Sequence, residues 1–496
     1  MGYILSIDQG TTGTTAALIK DDTFEFVGKI NQEFPQIYPK PGWVEHDLND
    51  IWTSTTSTIS AVLDKCNVRA SDITSIGITN QRETTCAFNK SGKPLANAIV
   101  WQDRRTGEYC QELKSNGHEE KINKLTGLPI DAYFSATKMR WLLKNNSNVQ
   151  SAAQKDDLCF GNIDTFLLYK LTNGTSFATE ASNASRTLLM SLETGAWSDE
   201  LLSLFELNKN FLPEIKDSFC HFGETNGLDV LPDGIPITGI LGDQQAALFG
   251  QAGFNKGDIK CTYGTGAFML LNTGEQIQRS SNGLLSTVAF QKDGKRIFAL
   301  EGSCYIAGAA VQWLRDNLKI FPSSPEVEQQ ANLVTDLDSM KNVLFLPFFT
   351  GIGSPYWQSD ATGAIVGLTR DTGIPHISRA CLEGIAYSIN DLLNAMKNDS
   401  TAGISEMRVD GGAVANNLLM EIQASVSDCN IIRPKVIETT AYGAALASAI
   451  GSGNMKFEDI SKLWKEDRTF EVDNSTKEYF TRKYSDWTKT IKRMFL

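Results

Sequence analysis

Histidine is scarce in this chain of 496 residues: only His46, His118, His221 and His376. The nine cysteines are scattered from Cys66 to Cys429 and contain no CxxC pair. Together these absences exclude a zinc cluster and a disulfide framework, and they fit a reducing, cytoplasmic setting. No apolar run approaches the roughly 20 residues of a membrane-spanning helix, so no integral membrane association is expected. Positive charge is also short. The 46 Lys and Arg against 58 Asp and Glu leave a net charge of -12, which argues against nucleic acid as a partner, since non-specific binding uses cationic side chains to neutralise phosphates. A phosphorylated ligand would have to be gripped largely by backbone N–H groups. Low-complexity linkers are missing as well. Since 496 residues exceed one typical core, two large domains joined by a short hinge near 250–256 are expected, divided as 1–252 and 253–496.

What is present begins with a repeated turn. Residues 3–8 form a short apolar strand ending in Asp8, followed by QGTTGT (9–14), a second apolar run at 16–19 and a third strand from Phe24. Strand, Gly/Thr turn and strand make a hairpin whose loop can offer several N–H groups and hydroxyls to one anion. It is not a Walker loop, which would read GxxxxGK[ST] and lead into a helix. The pattern recurs with a strand at 259–262, the turn YGTG (263–266) and a strand at 267–271. Repetition at about half the chain length points to two similar domains facing each other across a cleft, each with one phosphate-gripping hairpin. A third glycine turn, DGGA (410–413), follows a short strand and precedes a helix near Asn416, a sound context for nucleotide binding.

Between the hairpins the chain alternates strands and helices. The strand 73–79 ends in NQRETT (80–85), and the strand 98–100 ends in WQDRR (101–105). Adjacent Arg82 and Glu83 suit a polyhydroxy compound, since Arg donates in a fork and Glu accepts; a surface ion pair is the alternative. Arg104 and Arg105 read as a structural or solvated pair rather than a ligand clamp. Residues 133–145 read as a helix with Met139, Leu142 and Leu143 facing inward and Trp141 in the core. Residues 301–318 read as a second helix, whose small residues 307–310 allow another backbone or a flat ligand to come close. The stretch PFFTGIGSPYW (347–357) is too rich in Gly and Pro for regular structure, and 457–496 reads as amphipathic helices. Near the midpoint an apolar segment, 236–241, runs into GDQQAALFGQAG (242–253). Gly242 allows a sharp bend and 244–251 reads as a helix. Asp243 therefore sits where a strand becomes a helix. It can be a helix cap or face the crevice of an α/β fold as a catalytic group.

At this level of detail the chain resembles the FGGY carbohydrate kinase family, almost end to end. The strings that carry the resemblance include DQGTTGT (8–14), YPKPGWVEHD (38–47), GITNQRETT (77–85), NAIVWQDRR (97–105), NASRTLLM (183–190), GDQQAALFGQ (242–251), TYGTGAFMLLNTGE (262–275), ALEGS (299–303), VQWLRD (311–316), RVDGGAVANN (408–417) and ETTAYGAA (438–445). The Gly/Thr loops are shared with the wider sugar kinase, hexokinase, Hsp70 and actin superfamily. PGWVEHD, NQRETT and GDQQAALFGQ are narrower and point to the glycerol-specific branch. The resemblance implies an α/β fold of two ribonuclease H-like, actin/hexokinase-type domains around an active-site cleft. It implies transfer of the γ-phosphate of MgATP to glycerol, giving sn-glycerol 3-phosphate. Carried over position by position, Arg82, Glu83, Tyr133, Asp243 and Gln244 would hold glycerol against an apolar wall of Trp101 and Phe268. Thr11, Thr12, Gly13, Thr265, Gly308, Gln312, Gly412 and Asn416 would hold the nucleotide. Asp243 would be the base, and Asp8 with Asp243 would place Mg²⁺. A homo-oligomer, dimer or tetramer, is expected.

Those roles fit the chemistry. Glycerol is uncharged and must be held by directional hydrogen bonds, and a site built for hydroxyls rejects analogues that lack them. Phosphoryl transfer needs positioning and charge stabilisation, so a carboxylate of ordinary acidity suffices as base in a loose transition state. Some positions depart from the family. Thr15 stands where an arginine is usual, which removes a cationic phosphate contact, and Tyr442 stands where leucine is common. The segment ETNGLDVLPDGIP (224–236) lacks the arginine-bearing loop by which some members bind fructose 1,6-bisphosphate and the phosphorylatable histidine of others, so neither control is expected. Two competing readings stand: a sister kinase for another polyol or a ketose, and a non-catalytic ATP-binding switch.

Overall fold

The computed structural model describes residues 2–358, 360–400 and 403–496. Two mixed sheets carry it. In the first, Tyr3–Gln9, Gly13–Lys20 and Phe26–Glu33 form an antiparallel meander, Ile73–Asn80 pairs parallel to Tyr3–Gln9, and Pro236–Gly242 pairs parallel to Ile73–Asn80. In the second, Ile259–Tyr263, Ala267–Gly274 and Lys295–Cys304 form the meander, Glu406–Asp410 pairs parallel to the first of them, and Asn430–Pro434 follows in parallel. The same five-strand order and directions thus occur twice. Phe219–Glu224 edges the first sheet, and Leu285–Lys292 and Glu466–Phe470 edge the second. The central strands are apolar along their length because both of their faces are covered. Leu48–Cys66, started by Asp47 whose carboxylate accepts the Asn49 N–H at 2.8 Å, packs on Gly13–Lys20 and Phe26–Glu33.

The halves interlock through a pair of helices. Asp243–Gly250 follows the last parallel strand of the first sheet and packs on Ile259–Tyr263 and Ala267–Gly274 of the second. Thr439–Gly451 follows the last parallel strand of the second sheet and packs on Tyr3–Gln9, Ile73–Asn80 and Pro236–Gly242 of the first. Where the two helices meet, a Cβ on Gly443 would lie 1.9 Å from the Ala246 carbonyl, and one on Gly250 would lie 2.2 Å from the Thr439 carbonyl. One apolar cluster, holding Ile4, Leu241, Phe249, Leu270, Phe290 and Leu446, draws on both sheets. Tyr442 belongs to the same seam, and its hydroxyl donates to the Phe24 carbonyl at 3.0 Å.

Three expectations are corrected. Residues 301–304 end the strand Lys295–Cys304, and the helix there is only Gly308–Asp316. A run buried on both faces carries no period that separates a strand from a helix, and 298–304 is buried throughout. Within 457–496, Glu466–Phe470 is an edge strand, and the long amphipathic helix is Lys477–Phe495. Residues 133 and 134 precede the helix Ser135–Asn145, and within it Leu143 and Trp141 are half-buried. Among the described residues no helix is long and apolar enough to cross a membrane.

Candidate active site

The first hairpin is closed by the Gly10 N–H, which donates to the Gly13 carbonyl at 2.9 Å. Thr12 is exposed at its tip. Side chains behind the turn fix it. Gln81 Nε2 donates to the Gly10 carbonyl at 3.1 Å and to Gln9 Oε1 at 3.0 Å, and Gln36 Nε2 donates to the Thr11 carbonyl at 3.1 Å. His46 lies between them: its Nε2 donates to Gln36 Oε1 at 2.7 Å, and its Nδ1 is 3.4 Å from Gln81 Nε2. Burial pushes this imidazole down to about 4, so it is neutral at physiological pH.

The second hairpin is locked from the other side. The N–H groups of Ala307 and Ala309 donate to the Thr265 carbonyl at 2.8 and 3.1 Å, and that of Gly308 donates to the Gly264 carbonyl at 3.0 Å. A Cβ at Gly308 would stand 2.7 Å from the Gly264 oxygen, so only glycine lets the helix start this close. The third turn packs on the same strand. Gly411, at φ +91°, lies against the Tyr263 carbonyl, while a Cβ on Gly412 would meet nothing within 4 Å. Asn416 caps Asn417–Ser427 by accepting the Leu419 N–H at 2.8 Å. Thr265, Gly308, Gln312, Gly412 and Asn416 all line one cavity of about 410 Å³, with Val311, Leu382, Ile385 and Leu419 as apolar walls. A largely apolar slot with a few convergent polar groups suits a flat ligand such as a purine.

Arg82 and Glu83 follow the strand Ile73–Asn80 and are buried, not a surface pair. Nor do they pair with each other. Arg82 Nε lies 2.9 Å from Asp243 Oδ1. Its two terminal nitrogens donate to the two oxygens of Glu301, Nη2 at 3.0 Å. Glu83 Oε1 accepts from Arg186 Nε at 2.5 Å, and Arg186 Nη2 donates to Glu301 Oε1 at 3.0 Å. Glu83 holds φ at +59°, a region that bulky residues seldom occupy. Burial pushes the Glu83 carboxyl up despite Arg186 and Arg82. At Glu301 burial also pushes up, but the two guanidiniums it serves outweigh this and hold it low. Both guanidiniums act on both carboxylates, but Glu301 also accepts from Arg82 and faces the charge of Lys260, whereas Glu83 is raised by the charge of Glu301.

Asp243 is the accessible member of the group. Its side chain is 27% exposed, against 2% for Arg82. It is not the N-cap; Gly242 is, and Asp243 opens the first turn with its Oδ1 accepting the Gln244 N–H at 2.7 Å. Gly242 itself makes no unusual bend, with φ −59°. Glycine is needed because a Cβ would sit 2.7 Å from Arg82 Cδ. Gln244 Oε1 accepts from the buried Lys260 Nζ at 2.5 Å, and burial lowers the pKa of that lysine. Trp101 meets Tyr133 edge-on at 5.6 Å and Phe268 at 6.1 Å, and its Nε1 donates to Thr11 Oγ1 at 2.9 Å. The expected apolar wall therefore joins residues of both halves, with Phe268 on the second sheet, and touches the first hairpin. Asp8, half-buried at the end of its strand, is pushed up to about 7 by its enclosed position and then by the charges of Asp243 and Glu438. Thr15 Oγ1 accepts from Asn31 Nδ2 at 2.9 Å.

Sequence reasoning assigned no role to Glu301, Arg186 or Lys260. A glutamate inside FALEGSC (298–304), an otherwise apolar and small run, is the available signal, masked because the run also fits the start of a helix. Arg104 and Arg105 are structural, as read: Arg104 Nη1 donates to Asp131 at 2.7 Å, and Arg105 pairs with Asp103 and Glu45 and stacks on Trp43 and Trp141. Trp141 thus packs on a cation at the surface of its cluster.

Comparison with known proteins matches the architecture. Residues 3–250 match the N-terminal domain, and 259–452 the C-terminal domain, of the FGGY family of carbohydrate kinases. The glycerol kinase of Myxococcus xanthus is 47% identical over 99% of both chains, and that of Desulforamulus reducens is 48% identical over 99% of this chain and 97% of its own. The crystal structure of Plasmodium falciparum glycerol kinase with ADP superposes with a TM-score of 0.89 at 35% identity, covering 100% of this chain and 99% of that one. A xylulose kinase from Lactobacillus acidophilus shares the fold at 20% identity, with a TM-score of 0.87 and coverage of 100% and 98%. With both halves matched in order over nearly its whole length, and the duplicated sheets accounted for by that match, the chain belongs to the FGGY family of carbohydrate kinases.

Proposed function

We propose that this chain transfers the γ-phosphate of ATP to glycerol, forming sn-glycerol 3-phosphate and ADP. The observation that carries the reading is Asp243: a partly exposed carboxylate 2.9 Å from a buried arginine, in a chain close to half identical to glycerol kinases over its full length. Glycerol would lie against Trp101 and Phe268, with hydroxyls bonded to Arg82, Glu83, Tyr133 and Gln244. Lys260 already occupies the Gln244 carbonyl oxygen, so that side chain turns its amide N–H groups to a substrate oxygen. Asp243 accepts the proton of the attacking hydroxyl. The purine would fill the 410 Å³ cavity, and the phosphates would run between Thr265 and Thr11, Thr12 and Gly13.

Mg²⁺ suits the donors present. Asp8 stands near enough to Asp243 for the Asp243 charge to act on it, and magnesium is usually held by one or two carboxylates with substrate phosphates completing the shell. Bound there, it would supply charge neutralisation for the transferring group. The working division is 1–252, carrying the glycerol site and the first hairpin, and 253–496, carrying the nucleotide cavity. The matched segments 3–250 and 259–452 support it. A cytoplasmic homo-oligomer completes the reading.

A coupled assay with glycerol and MgATP tests it, run beside a panel of polyols and ketoses. Glycerol is expected to give the highest kcat/KM. Preference for a pentulose would transfer the chain to the ketose kinases, and ATP binding without phosphorylated product would make it a nucleotide switch.

A further inference from the structure

We infer that Glu301 and Arg186 set the substrate class of this site, as positioning residues that keep the Arg82 and Glu83 clamp electrically neutral and so favour an uncharged polyol over an anion of the same size. The inference rests on the reading of Arg82 and Glu83 as that clamp. A buried arginine beside a small-molecule site is by default a carboxylate receptor, because its planar fork matches two carboxylate oxygens. Here the fork is already filled. Glu301 takes both terminal nitrogens of Arg82, leaving only Nε toward Asp243. Arg186 is engaged through Nε to Glu83 and through Nη2 to Glu301, while its buried Nη1 makes no hydrogen bond.

The charges balance. Arg82 and Arg186 are offset by Glu83 and Glu301, all four at most 3% exposed, and Asp243, which also lies against Arg82 Nε, is offset by the charge of the buried Lys260. An incoming carboxylate would meet an Arg82 fork whose two terminal nitrogens are taken, with the Asp243 carboxylate beside it. A hydroxyl, which can donate to a carboxylate or accept from an N–H, meets no such conflict. The arrangement also spans the molecule. Glu301 stands on Lys295–Cys304 of the second sheet, and Arg82 follows a strand of the first, so neither half holds the clamp in its working geometry alone. Burial keeps the geometry fixed, since breaking one bond would strand a charge away from water.

The test is Glu301→Gln, which keeps the shape and removes the charge, in the full-length protein. Three readings are taken: kinetics against glycerol, kinetics against ATP, and inhibition by glycerate, in which a carboxylate replaces one hydroxymethyl group. The expected result is a fall in kcat/KM for glycerol of about 100-fold, with the KM for ATP within about twofold. Glycerate, inert toward the parent, becomes a competitive inhibitor against glycerol because part of the Arg82 fork is freed. Equal losses toward both substrates, or no change, or equal glycerate inhibition of parent and variant would each overturn the inference. If Glu301→Gln does not fold, Arg186→Lys carries the test. An ammonium lacks the planar fork that reaches Glu83 through Nε and Glu301 through Nη2, so the glycerol KM rises while the ATP KM holds; parallel rises would sink the idea. A parent that phosphorylates no glycerol would instead refute the functional reading.

Discussion

Asp243 can be tested by removing a charge and nothing else. Asp243→Asn keeps the side-chain oxygen that accepts the Gln244 N–H, so the helix start survives, while the proton acceptor is lost. Turnover should fall about a thousandfold, within the usual range for general bases, with ATP binding measured by titration little altered. Near-normal turnover would remove Asp243 from the mechanism. Its neighbour makes a different point. Gly242 was legible as a strand-to-helix junction, but the reason glycine stands there was not. The backbone is ordinary, and the constraint is Arg82 Cδ, 2.7 Å from where a Cβ would be. Gly242→Ala should displace Arg82 from Asp243 and lower kcat/KM for glycerol, at an overpacking cost of about 1–3 kcal/mol in stability. Unchanged kinetics would mean that Arg82 moves aside harmlessly. What a sequence shows at this scale is residue type at a junction. Which atoms meet, as with Glu301 reaching Arg82 across 219 positions, depends on how two sheets face each other and leaves no local mark.

The Gly/Thr hairpins are the elements that were plainest in the sequence, because an apolar run, a turn and another apolar run have a fixed local meaning. Their supports were not. The first hairpin is braced by Gln36, His46 and Gln81, residues from three separate segments, and nothing in PGWVEHD (41–47) marks His46 for that place. The brace has a testable pH signature. An unfolded histidine titrates near 6.5 and His46 in the fold near 4. Between those values the unfolded chain binds the extra proton and the folded one does not. His46 therefore costs nothing above 6.5, and stability drains away as pH falls from 6.5 toward 4, by about 3 kcal/mol at the limit. Buried Asp164 and Glu180, pushed up by burial to about 6 and 7, act in the opposite sense over much of that range, so the comparison must be with a variant. In thermal melts from pH 7 to 4.5, His46→Gln should lose less stability than the parent. At pH 7 its KM for ATP should rise about tenfold with the glycerol KM unmoved, since one lost hydrogen bond to a positioned group is of that order. A parallel pH slope in the two proteins would show that His46 is not what couples the fold to protons.

For the whole molecule, duplication was readable from the repeated hairpin, but the way the halves grip each other was not. A sequence search for a hinge looks for a linker, whereas here each half sends the helix after its fifth strand onto the other sheet. The helices approach so closely because Gly443 and Gly250 present no side chain to the facing carbonyls of Ala246 and Thr439. Two effects compete in Gly443→Ala. Alanine favours a helix by about 1 kcal/mol over glycine, but its Cβ would stand 1.9 Å from a backbone oxygen that cannot rotate away. The steric term should win, lowering stability by about 1–3 kcal/mol. Gly250→Ala should do the same at 2.2 Å. Because both changes force apart one pair of backbones, the second costs little once the first is made. The double variant should fall short of the sum of the single losses by more than about 0.5 kcal/mol, the signature of sites in contact. The helix pushed aside is also the one that begins with Asp243, so each variant should lose more kcat than its melting temperature explains. Additive losses, with activity tracking stability alone, would mean that the crossing holds the halves together without setting the position of the base.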